Sequence, residues 1–310
     1  LDITNIALPA QKALEQIRFC FSTYEFLTPW VLGIVFVLTL FFVRRHGLIY
    51  YGGRSQAFVV PLLFTLLAGA VFRDISVWTL SLLSTYLLLF FVEIGLNSYG
   101  RKQRVVAMFD TGIFIALLAH IHPVFFILLL IIFRVLRRLE LLHKKQMGAL
   151  ILGIFSIFWC SALIIYIFSG IEVLRDSAVH YLLLPGDLMK NLQSYRIFSP
   201  QLLMRELPLI ALIIMIVVQT AGMLPRSLER QRFTIDIHIR LVILLYIAHL
   251  LYEPEGASLY LCCAFYTSIL SGYCLTQAKS VILRTLILLP YLFLLYSCVQ
   301  NLLNTTWTFS

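Results

Sequence analysis

Long apolar runs broken by short basic clusters restrict the fold of this chain more than any motif does. The runs lie near residues 27–43, 57–72, 76–96, 105–120, 123–138, 147–170, 207–224, 238–252, 258–276 and 282–302. Their lengths approach the roughly 20 residues that carry a helix across a bilayer. They show no strand-like alternation, and a backbone in lipid must satisfy its own hydrogen bonds, so helices are the expected spanning elements. Composition agrees: 61% of residues are hydrophobic and only 13% charged, against about a quarter charged in a soluble chain. The expected fold is an all-α polytopic membrane helix bundle of about ten transmembrane helices.

Lys and Arg in short loops orient such a bundle. Seventeen of the 24 basic residues fall in alternate connections: Arg44, Arg45 and Arg54; Arg101, Lys102 and Arg104; Arg134, Arg137, Arg138, Lys144 and Lys145; Arg226, Arg230, Arg232 and Arg240; Lys279 and Arg284. The other set holds Lys12, Arg18, Arg73, Arg175, Lys190, Arg196 and Arg205. The basic loops are therefore expected inside and both termini outside. The net charge of +9 follows from this orientation and gives no reason to expect nucleic-acid binding.

The same rule interprets ALLAHIHPVFFIL at 116–128. Both flanks of this region are basic, so 105–133 reads as two short helices meeting at His-Ile-His-Pro. Pro123 opens the second of them, because proline costs little in a first helical turn and disfavours helix in the residue before it. His120 and His122 then sit at the outer tip of a hairpin, either as an ordinary polar turn or as the lining of an outward-facing site.

Residues 1–26 show no cleavable signal pattern. They read as an outer interfacial segment, helical or flexible, ahead of a single transmembrane domain at 27–310. Residues 171–206 are expected to form a long outer loop. Six cysteines contain no CxxC pair, so neither a disulfide framework nor a zinc site is expected. No Walker A, GxGxxG, HExxH or GxSxG motif occurs, and no cofactor is expected. Glu93 and Asp110 read as partners of Arg101–Arg104 at the inner interface, with a proton or cation relay as the other reading. His249 reads as a hydrogen-bonded packing residue.

The outer side gathers Arg73 and Asp74, His120 and His122, then Arg175, Asp176, His180, Asp187, Arg196, Arg205 and Glu206, and finally Glu253 with Glu255. Arginines suit phosphate oxygens, and a His, Asp or Glu can take a proton from an acceptor hydroxyl. The same residues could equally form a solvated rim.

The stretch at about 86–170 pairs helices ending in a basic turn, YLLLFFVEIGLNSYGRKQRV, with a polar-tipped hairpin and the following helix MGALILGIFSIFWCSALIIYIF. It resembles the core of C-superfamily membrane glycosyltransferases and O-antigen polymerases. It is also similar to an uncharacterised ten-helix inner-membrane family of Bacteroidota. The resemblance implies a multi-pass protein of a bacterial inner membrane that transfers or polymerises a lipid-linked sugar at the outer leaflet. Asp74, His120 and His180 would be candidate catalytic residues. Arg73, His122, Arg175, Arg196, Arg205 and Glu253 would be candidate binding residues, and the partners would be membrane lipids and a polyprenyl-phosphate-linked sugar. The C superfamily carries its catalytic acid in a long first outward loop, whereas the corresponding loop here is very short, with Asp74 its only acid. A non-catalytic accessory subunit of a larger membrane complex is the other expectation.

Overall fold

The computed structural model describes residues 34, 37–41, 43–45, 56–69, 85–86, 88, 104–121, 125–126, 129, 144–182, 200–223, 229–252, 258–278 and 280–304. Among the described residues there is no strand. The principal helices are α1 Gln56–Gly69, α2 Arg104–Ile121, α3 Lys144–Leu182, α4 Pro200–Met223, α5 Glu229–Tyr252, α6 Ser258–Gln277 and α7 Val281–Asn304. Lys144–Ile167, Arg232–Leu251 and Leu259–Gln277 are long and apolar enough to cross a membrane; Phe58–Gly69, Val105–His120, Glu206–Gly222 and Val281–Tyr296 are shorter apolar helices. The described residues are thus essentially all helical, and the protein is an integral membrane protein. The expected spans 27–43, 76–96 and 123–138 and the segment 1–26 fall wholly or largely outside the described residues.

Several helices outrun their apolar runs. The segment 171–206, expected as one loop, is helical at both ends: α3 continues to Leu182 and α4 begins at Pro200. Pro200 takes the first helical position, where its missing N–H would have lacked a partner anyway. Likewise α5 starts at Glu229 rather than near 238, within the charged sequence ERQRFTIDIHIR. Hydropathy falls where a helix leaves lipid, but helical backbone can extend past that point, in α3 after a break at Gly170.

The chain divides into two compact units. The first comprises Leu1–Leu27, Thr79–Tyr195 and Leu250–Tyr252; the second comprises Thr28–Trp78, Arg196–His249 and Glu253–Ser310. In the first unit, α2 packs on α3 through glycine. A Cβ on Gly112 would meet the Leu150 carbonyl oxygen, and one on Gly153 would meet that of Phe109. Without side chains at the crossing the two backbones come close enough for dispersion contacts, the usual adhesive between helices in lipid. Further along the pair, the His120 ring lies 4.6 Å from that of Phe158. Contacts therefore advance along both helices together: Phe109 and Gly112 meet Leu150 and Gly153, then His120 meets Phe158. The two helices run parallel, with Arg104 and Lys144 at the same end.

In the second unit α6 is central, with 89% of its apolar window buried, whereas the α3 window is 11% buried. Gly272 of α6 lets Val60 of α1 approach, since a Cβ there would meet the Val60 side chain. Phe64 of α1 adds an edge-on contact to Phe265 at 5.9 Å. Large apolar side chains face outward instead, among them Ile151, Phe155 and Trp159 on α3 and Ile282, Leu289 and Leu292 on α7. A surface of this kind matches lipid, which solvates apolar side chains as well as a protein core does.

Candidate functional site

α6 (SLYLCCAFYTSILSGYCLTQ) is the most buried of the apolar helices and also rich in hydroxyls and thiols. Burial of such groups requires partners, and several are found along the helix. Thr267 Oγ1 donates to the Cys263 carbonyl at 2.8 Å and Ser268 Oγ to that of Phe265 at 2.7 Å. Ser271 Oγ lies 2.6 Å from the Tyr291 hydroxyl of α7. Gln219 of α4 donates Nε2–H to the Cys274 carbonyl at 3.3 Å. The last two bonds hold α4, α6 and α7 in register at one end of the unit. At that same end, Arg284 Nε donates to the Ala278 carbonyl at 2.8 Å, satisfying a carbonyl just past the end of α6.

The opposite end holds a carboxylate–imidazole pair. His249 Nε2 lies 3.2 Å from Glu206 Oε1, and the side chains are 0% and 7% exposed respectively. A carboxylate only accepts, so Nε2–H is the donor. Tyr260 of α6 meets the His249 ring edge-on at 5.5 Å, and the Tyr246 ring lies 6.3 Å away. Helical arithmetic explains the assembly. His238, Val242, Tyr246 and His249 lie on one stripe of α5, at steps of four, four and three. Facing them on α6 are Tyr260, Cys263 and Tyr266: Cys263 Sγ is 3.7 Å from the Val242 carbonyl, and the His238 and Tyr266 rings are 5.2 Å apart. The antiparallel α5–α6 seam thus carries two histidine–tyrosine contacts, one towards each end.

Chemically the pair is a base held by an acid. The carboxylate fixes the orientation of the imidazole through Nε2. Burying such groups in a membrane protein costs several kcal/mol unless they are paired. Among the described residues no group of three His, Cys, Asp or Glu side chains is arranged to hold a metal ion.

The sequence-derived site residues are distributed as follows. Arg73, Asp74, His122, Arg196 and Glu253 lie outside the described residues. His180 is on α3 and Arg205 on α4, with side chains outside the described set. Arg175, on α3, is exposed. His120 closes α2, its Nδ1 2.8 Å from the Ala116 carbonyl and its ring against Phe158; these contacts belong to helix packing. His120, Arg175 and His180 fall in the first unit, and Arg205 in the second. The sequence alone does not pair Glu206 with His249: it reads Glu206 as part of the outer rim and His249 as a hydrogen-bonded packing residue.

Comparison with protein-family models, curated proteins and solved structures finds no match to this chain.

Proposed function

We propose that this is a multi-pass inner-membrane protein of about ten spans, both termini outside, that serves envelope glycan or glycolipid assembly by acting on a lipid-linked sugar at the outer leaflet. The observation that carries the reading is the buried Glu206–His249 pair, because an ionisable pair is retained at membrane depth chiefly where it does chemistry. In this reading His249 accepts the proton of an acceptor sugar hydroxyl as that oxygen bonds to the anomeric carbon of the donor, while the anomeric bond to the polyprenyl phosphate breaks and the phosphate leaves with its electron pair; Glu206 orients the imidazole. Arg73, Arg196 and Arg205 serve the donor phosphate, with Asp74 as a further candidate base.

Two features support the topology. Parallel α2 and α3, with basic residues at the same end, call for a return path within 122–143. In the second unit Arg232, at the start of α5, and Arg284, at the start of α7, mark the end opposite Glu206 and His249, which under the positive-inside rule supports an outer position for the pair.

A second reading, a non-catalytic subunit of a larger envelope complex, is favoured by the completeness of the burial: a histidine with no exposed surface is also how a structural pin looks. Native mass spectrometry of protein gently extracted from its own membrane separates the two. A retained polyprenyl-phosphate or sugar-lipid, together with loss of glycan product in His249→Ala and Glu206→Gln, supports the enzyme. A stoichiometric protein partner with no such lipid, and normal product from these variants and from Asp74→Ala, His120→Ala and His180→Ala, overturns it in favour of the subunit.

A further inference from the structure

We propose that residues 171–182 form an interfacial helix lying in the lipid headgroup layer, beside the bilayer that the first part of α3 crosses. The span Lys144–Ile167 contains 24 residues, about 36 Å of helix, which is enough to traverse a core of about 30 Å. Three residues later, Gly170 adopts φ 85° and ψ 174°, a conformation essentially confined to glycine. The break ends one helical segment and starts another in a new direction. It comes where the first segment has just emerged from hydrocarbon.

The second segment, IEVLRDSAVHYL, has the pattern of a surface-lying helix. With 3.6 residues per turn, positions 171, 174, 178, 181 and 182 share one side of the axis and read Ile, Leu, Ala, Tyr and Leu. Positions 172, 176, 177 and 180 share the other and read Glu, Asp, Ser and His, with Val173 and Val179 the apolar exceptions there. Arg175 falls at the edge of the apolar side, where a long guanidinium stem can follow apolar surface while its head reaches lipid phosphate. Ile171 is 68% exposed, and Ile164 and Ile167 on the preceding span are 55% and 63% exposed. Exposed apolar side chains of the lipid-facing span are therefore followed directly by exposed Ile171 at the start of the new helix, which makes bilayer lipid its occupant. A helix with an apolar side, a polar side and little net charge binds in the interface through buried apolar area.

The test is site-directed spin labelling of the full-length protein in vesicles of phosphatidylethanolamine and phosphatidylglycerol. Single cysteines would be introduced at each position from 171 to 182 in a background carrying Cys20→Ser, Cys160→Ser and Cys298→Ser. Collision rates would be read with oxygen, which concentrates in lipid, and with a water-soluble nickel chelate. The ratio of the two should oscillate with a period of about 3.6 residues, several-fold higher at 171, 174, 178 and 181 than at 172, 176 and 180. High nickel accessibility throughout would mean a helix standing in water, and exclusion of both reagents from the apolar side would mean a protein partner covers it. Either result overturns the proposal. The outcome does not depend on the glycan reading.

Discussion

His249 Nε2 on α5 and Glu206 Oε1 on α4 meet at 3.2 Å across 43 residues of chain, with neither side chain appreciably exposed. Removing one member leaves the other's polar group buried without its partner, so Glu206→Leu or His249→Leu should each destabilise by about 3 kcal/mol. The double variant should recover much of that loss, because replacing a whole buried pair with apolar side chains is often close to neutral. A double-mutant cycle from reversible unfolding in mixed micelles measures the coupling. Additive losses would show that the bond carries little.

Gly153 and Gly148 lie five residues apart on α3 but face different surroundings. A Cβ at Gly153 would meet the Phe109 carbonyl and crowd Gly112 and Ile113, whereas one at Gly148 meets nothing within 4 Å. Gly153→Ala should therefore force α2 and α3 apart, at about 1–3 kcal/mol for overpacking. Gly148→Ala should be neutral or stabilising by up to about 1 kcal/mol through helix propensity. Thermal unfolding of the two variants side by side checks the contrast, and equal effects would mean the glycine contact does not hold the pair.

The helical character of the chain and its lipid-facing surface were legible in the apolar runs, because the bilayer constrains composition over some 20 residues at a time. The ends of helices were not. Glu172, Arg175 and Asp176 lower hydropathy, yet helix resumes after the break at Gly170 and runs to Leu182, through a stretch that reads as loop. For the same reason Glu206 reads as rim, although α4 has already begun at Pro200 and carries Glu206 into the packed interior. His249 could be recognised as a packed, hydrogen-bonded histidine from its place in an apolar helix. Its partner could not, because that depends on which helices are neighbours, and a charge count fixes direction without fixing adjacency. His238 passes unnoticed for a related reason: its contact with Tyr266 emerges only once α5 and α6 are aligned antiparallel.

Ser271 and Tyr291 offer a different measure of polar bonding in this interior. Their hydroxyls are 2.6 Å apart and both residues are buried. Interhelical hydrogen bonds in membrane proteins average about 0.6 kcal/mol and reach about 1.7 kcal/mol. Ser271→Ala combined with Tyr291→Phe in a double-mutant cycle should give a coupling in that range, well below that of the Glu206–His249 pair. A coupling as large as that of the ionisable pair would show that burial, rather than charge, sets the strength of both.

Gly170 supplies the last prediction, because it separates torsional strain from steric contact. A Cβ added there meets no atom within 4 Å, yet the backbone sits at φ 85°. Gly170→Ala therefore has room for its methyl group but not for its backbone angle, at a cost of about 1–3 kcal/mol if the angle is kept. The cheaper response is for φ to return to negative values, which redirects residues 171–182 while leaving the α2–α3 contact at Gly112 and Gly153 untouched. Global unfolding should consequently change little. The oxygen-to-nickel accessibility pattern over 171–182 should lose its alternation or shift in phase. An unchanged pattern would show that the apolar side of the helix, and not the glycine, determines how the segment lies, and a large loss of global stability would show that the break is tied into the core of its unit.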